Sequence, residues 1–405
     1  MSYRVCLLFC LFQFAAQAQD SRLTEIRDLL IPMRAKKPDN SPSRGAGPKL
    51  TEVKHLLRDW VESRLPELHW YADPKKLELT LNEELKQTGL FCQFSSWPNN
   101  NPCSDGSALG FLGPVKLDIQ KNGSYLVLQT SMGIQECGVD ESAYAYQSTG
   151  DRWQPFWQSE QDDYSEKKYV PQTLYAVDIS PVALGQPENL VLTLGSHSSC
   201  MSAWHSIFIR AWRAQVGGLE PRLLLDEQDF AWLGTEPPVQ GTIGPNDILV
   251  EYSVGSIDAG VLWRQEIRHF LIKQDELVRV DPLVLSPRDF VDEWIRHPWS
   301  EMSGWTESNA LPALRNLHET WSAAQVHGEF IWPPRHCPRK PDLWQVGINL
   351  EKDSGKNQIP EYFLVRWRPP YSFTMVRASS RPFSGCTEED PKAEEFHTLF
   401  PGTRH

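Results

Sequence analysis

Over the first ninety residues, apolar positions recur at the three-to-four spacing of helices that bury one face. Leu23, Ile26, Leu29, Leu30 and Met33 keep it across residues 20–37. After a polar linker at 38–48, rich in Pro, Ser and Gly, Val53, Leu56, Leu57, Trp60, Val61 and Leu65 resume it, with Thr51 as N-cap and Pro66 as stop. Asp73-Pro74, a cap with proline in the first turn, opens a third helix that ends near Gly89. From residue 110 the texture changes to strand-like runs of four to eight residues, parted by Gly, Asn, Asp and Pro. Helical signals return over 286–327, and Trp344–Leu350, Tyr362–Trp367 and Ser372–Val376 are strands again.

The strand-like region contains an internal repeat. Leu-Val cores begin at Leu126, Leu190 and Leu249, spaced by 64 and 59 residues. Each core follows one strand and precedes a loop and a hairpin. Three consecutive four-strand units of this kind resemble blades of a β-propeller, and Phe363-Leu364-Val365 would form the core of a further unit. The alternative is a β-sandwich or meander. The fold class expected is thus mainly β, a propeller-like array of antiparallel units with a helical lead-in and a helical insertion. Its divisions are 1–18, 19–109, 110–285, 286–340 and 341–405.

The first of these divisions reads as a secretory signal peptide. Arg4 precedes an apolar run from Val5 to Phe14, and Ala16-Gln17-Ala18 supplies a small-x-small cleavage pattern. The run is too short to span a bilayer. Cleavage would leave Cys92, Cys103, Cys137, Cys200, Cys337 and Cys386, an even set that in an exported chain reads as three disulfides. Cys92 and Cys103 flank a loop without periodicity and are expected to pair. Cys137 and Cys200 fall on equivalent loops of adjacent units and are expected to pair too, which leaves Cys337 with Cys386. No CxxC occurs among the six, so no structural zinc site of ordinary spacing is expected. The location expected is secreted or periplasmic.

A formal charge of −12 argues against tracking nucleic-acid phosphates and against docking on anionic lipid. Four places hold candidate chemistry. Asp289, Asp292 and Glu293 share one helical face, with His297 four residues beyond Glu293. Ser286-Pro287 also reads as a cap, and first-turn acids offset the helix dipole, so a structural role explains the same residues. His197, Cys200 and His205 form a compact trio of metal-ligand types, but a disulfide removes the thiolate. Glu160 to Glu166 is acidic without the spacing of a calcium loop. Finally, the loops Ser131–Glu141, Gly195–Trp204 and Val254–Trp263 would emerge on one face of a propeller, carrying Asp140, Glu141, His197 and Asp258, with His205 and Arg264 just beyond. Polar loop residues on a rigid scaffold are where binding commonly sits, so these four are the expected ligand-binding residues.

There is no Gly-x-Ser-x-Gly, no His-Glu-x-x-His, no Walker loop and no Gly-x-Gly-x-x-Gly. No cofactor or metal is expected. Two function classes remain: a binding or interaction module for a glycan, a peptide or an envelope protein, and a hydrolase using loop carboxylates as acid and base.

Overall fold

A computed structural model of the chain describes residues 21–30, 46–69, 71–88, 90, 112–134, 138–160, 172–181, 188–197, 202–214, 220–232, 238–258, 261, 263–273, 276–280, 284–323, 330–352, 357–368 and 372–389. The expected signal segment 1–18, Cys92, Cys103, Cys137, Cys200 and residues 161–166 lie outside these. The chain divides into two compact units, Met1–Asp229 and Phe230–His405. No helix among the described residues is long and apolar enough to cross a membrane.

Unit 1 begins with helices α1 (residues 21–30), α2 (Ala46–Glu62) and α3 (Pro74–Gln87). The Asp73 side chain accepts a hydrogen bond from the Lys75 amide and caps α3. A meander follows: β1 (Leu112–Asn122), β2 (Tyr125–Ile134), β3 (Gly138–Thr149) and β4 (Arg152–Ser159), hydrogen-bonded in that order. Alternation along β2 assigns its two faces. Leu126, Leu128 and Met132 join Leu23, Leu57, Trp60 and Leu81 in a core beneath the helices. Tyr125 and Val127 point the other way, into a core with Leu174, Val191 and Phe208. Those residues come from β5 (Gln172–Ile179), β6 (Asn189–His197) and β7 (Trp204–Ala214), which β8 (Arg222–Trp232) follows in sheet order.

Unit 2 opens with β9 (Val239–Ile243), β10 (Asp247–Gly255), β11 (Trp263–Lys273) and β12 (Glu276–Arg279). Three helices come next: α4 (Pro287–Arg296), α5 (Trp299–Met302) and α6 (Leu311–Ala323). Ser286 caps α4 by accepting from the Asp289 amide at 3.1 Å. A second antiparallel sheet is built from β13 (Phe330–Ile331), β14 (Arg335–His336), β15 (Leu343–Lys352), β16 (Asn357–Arg368), β17 (Ser372–Ser379) and β18 (Glu388–Glu389), ordered β17-β16-β15-β14-β18 with β13 also paired to β15. One face, carrying Val346, Ile348, Phe363, Val365 and Met375, packs against Phe290 and Trp294 of α4 and Leu314 and Trp321 of α6. The opposite face carries Leu343 and Leu364 against Phe383 and the Cys337–Cys386 disulfide.

The described residues are mainly β in antiparallel sheets, none of them closed, so the propeller is not confirmed and the meander or sandwich alternative fits. Two features account for the difference. In unit 1 the lead-in helices cover a whole face of the first meander, where a blade would receive a neighbouring blade. In unit 2 the end of β8 pairs with β10 through Ala231 and Val254, where separate blades would keep those strands apart.

Candidate functional site

Asp140 and Glu141 lie in β3 rather than in a loop. Asp140 is buried and pairs with Lys54 of α2 at 3.1 Å, and Lys54 is buried too. Glu141 accepts hydrogen bonds from the Leu174 amide at 2.6 Å and from Gln129 Nε2 at 3.1 Å, which fastens β3 to β5. Burial raises its carboxyl above the ordinary value, against the pull of those hydrogen bonds. His197 closes β6 with its ring 5.1 Å from Phe208, and burial together with Arg210 lowers its pKa. His205 Nε2 lies 2.6 Å from the Ser202 carbonyl. These residues belong to unit 1. Asp258 belongs to unit 2, is buried, and pairs with Arg288 of α4.

The acidic face of α4 is the centre of a buried ion network. Asp292 accepts from Ser256 Oγ at 2.7 Å, the Ile257 amide at 2.9 Å and Arg264 Nε at 3.0 Å. Arg264 also reaches Glu266 at 3.0 Å. Arg279 Nη2 lies between Glu293, at 2.6 Å, and Glu266, at 3.3 Å. His297 Nε2 stands 3.3 Å from Glu266. Burial, reinforced by the Glu266 charge, pushes the Glu293 carboxyl up to about 7. Burial alone would also raise Glu266, but Arg264, His297 and Arg268 hold it well below the usual range. Burial lifts Asp289 to about 6. Ligand atoms of Glu266, Glu293 and His297 come within 4.8 Å of one another, a spacing that a metal ion could bridge. The Arg279 guanidinium already holds both carboxylates from that position, so the residues present do not favour a second cation.

A different arrangement occupies the sheet face opposite α4. Leu343, Gln345 and Gly347 alternate with the core-facing Val346 and Ile348 along β15. Tyr362 of β16 stands directly across from Gly347. Trp332 donates its amide to the Gly347 carbonyl at 2.8 Å and lays its ring over that glycine. A Cβ on Gly347 would come within 2.3 Å of Trp332 Cε3 and 3.2 Å of Tyr362 Cδ1, so only glycine lets the indole lie down here. The two ring centroids are 5.4 Å apart, with planes tilted by 44°. Arg335 and Gln345, cross-strand partners in β14 and β15, line the same space, and Pro333 and Pro382 complete it. The cleft has a volume of about 390 Å³. Gln345 is 3 % exposed, and its Oε1 accepts from the Phe383 amide at 2.6 Å, which fixes the Pro382 wall.

Local sequence patterns do not point to this cleft. Its residues span positions 332 to 382 and share no spacing. One signal is present: the glycine inside an apolar strand, Val346-Gly347-Ile348, which marks a close approach of another group to the backbone.

No protein-family model matches the chain. No curated protein matches it. Among solved structures, a BT0996 RGII complex aligns with a TM-score of 0.25 at 8 % identity, over 73 % of this chain and 81 % of that one. Another, described as a glycoside hydrolase, aligns with a TM-score of 0.25 at 10 % identity, over 78 % of this chain and 99 % of that one. Likenesses this shallow carry no weight for what the chain does.

Proposed function

We propose that the chain is an extracytoplasmic binding module and that its ligand sits in the cleft between Trp332 and Tyr362. The carrying observation is the cleft itself: two tilted aromatic rings held over a glycine, with an amide and a guanidinium at the edge. Ligand sites are typically concave and aromatic-lined, with a few placed polar groups, and roughly 300–1,000 Å³ in volume. The Cys337–Cys386 disulfide supports an oxidising compartment. The test is binding of the exported chain to glycan and peptide arrays beside Trp332→Ala and Tyr362→Ala. Signal on the wild type that both variants lose, with unchanged melting, supports the reading. Undiminished signal on the variants refutes it.

One observation favours the hydrolase reading. Glu266 and Glu293 are neighbours whose pKa values are driven in opposite directions, the signature of an acid and a base. Both are buried, however, and engaged by Arg264 and Arg279. Turnover of chromogenic glycosides that Glu293→Gln abolishes would establish this second reading in place of the first.

A further inference from the structure

Resting on the binding reading above, we infer that the ligand is an uncharged carbohydrate, one sugar ring of which lies against Trp332 and Tyr362. Aromatic faces carry negative electrostatic potential and attract weakly positive hydrogens. A pyranose ring presents such C–H bonds on its faces and its hydroxyls around its rim, so ring stacking leaves the hydroxyls free to meet polar groups at the edge.

Those polar groups are present and planar. The Gln345 amide is fixed through Oε1 by Phe383, and Nε2 makes no further hydrogen bond among the described residues. An amide held in one orientation presents its N–H donors in a fixed direction, which a sugar hydroxyl oxygen can accept. Arg335 lines the same cleft and supplies the fork geometry that matches paired oxygen acceptors.

Charge argues against an acidic sugar. The chain as a whole carries a formal charge of −12, which repels polyanions at long range. Size argues for a single ring with its neighbours outside: about 390 Å³ is near the lower end of small-ligand sites.

The experiment titrates the full exported chain with neutral di- and trisaccharides of glucose, galactose, mannose and N-acetylglucosamine. Parallel titrations use oligogalacturonate and proline-rich peptides, all followed by tryptophan fluorescence and calorimetry. The expected result is saturable binding of at least one neutral sugar, unchanged between about 50 and about 500 mM salt. Affinity should fall roughly tenfold or more in Trp332→Ala and severalfold in Gln345→Ala, without loss of folding. Binding of peptide alone, lost in Trp332→Ala, would overturn the carbohydrate inference and leave the binding reading standing. Preference for oligogalacturonate with steep salt dependence would overturn the claim of an uncharged ligand. Sugar binding indifferent to Trp332→Ala would overturn both the inference and the site. Failure of every neutral sugar to bind would overturn the inference.

Discussion

Glu293 is a carboxyl kept partly protonated near neutrality by burial and by its neighbour Glu266. Its folded pKa of about 7 exceeds the ordinary value of 4.5. Between those two values the folded state therefore holds more protons than the unfolded state, and stability falls as pH rises through the window. Glu266 has the opposite sign: held well below 4.5, it contributes stability that disappears as pH falls through the acid range. Together they predict a stability maximum on the weakly acid side. Thermal melts of the wild type should decline from about pH 5 to about pH 8, and Glu293→Gln should flatten that decline. An equally steep decline in the variant would contradict the assignment. The Lys54–Asp140 pair predicts a different pattern. Both partners are buried, so Lys54→Met or Asp140→Leu alone takes an ion-pair partner from a buried charge and should cost about 3–5 kcal/mol. The double substitution should recover most of that loss in denaturant titrations, because an apolar pair has no charge to desolvate.

At the scale of the element, strand β15 faces two ways with different purposes. Val346 and Ile348 build the core under α4 and α6, while Gln345 and Gly347 present an aromatic-lined cleft. Gly347→Ala should therefore displace the Trp332 ring and remove the binding proposed for this cleft, at a cost of about 1–3 kcal/mol in stability. Retention of both ring fluorescence and binding would show that the glycine does not set the indole's position. The elements are largely legible in the sequence: three-to-four spacing marks α2, Asp73-Pro74 marks the start of α3, and Ser286-Pro287 marks the cap of α4. Asp140 and Glu141 look like loop residues in the sequence because carboxylates are rare in strands. That rule yields where a buried lysine and a backbone amide are waiting for them.

At the scale of the whole molecule, the Leu-Val repeat is real as a sequence pattern, but it recurs wherever antiparallel strands are buried on both faces. It does not distinguish stacked blades from layered meanders. The decision lies in which surface covers each sheet, and apolar helices such as α2 can cover a sheet as well as another sheet can. The cleft is illegible for a related reason: its residues meet only after β13 to β16 have paired and the segment around Pro382 has folded back. That return is closed by Cys386, joined to Cys337 across 49 residues of sequence, a loop whose crosslink is worth about 4 kcal/mol in the chain-entropy account.

On the proposed binding reading, the same crosslink would make recognition conditional on where the chain is. Phe383 anchors the wall of the cleft through Gln345, and three residues later Cys386 ties that wall to the sheet. A newly made chain among reduced thiols would carry both aromatic rings but lack a secured wall, and so would be blind to its ligand until it reached an oxidising space. Cys386→Ser, or mild reduction of the native chain, should therefore weaken ligand capture before it melts the apolar core beneath α4. Loss of the two together would show that the bond supports only the fold. If they separate as expected, oxidation is the step that switches on recognition, and the compartment itself prevents capture of the wrong pool of ligand on the way out.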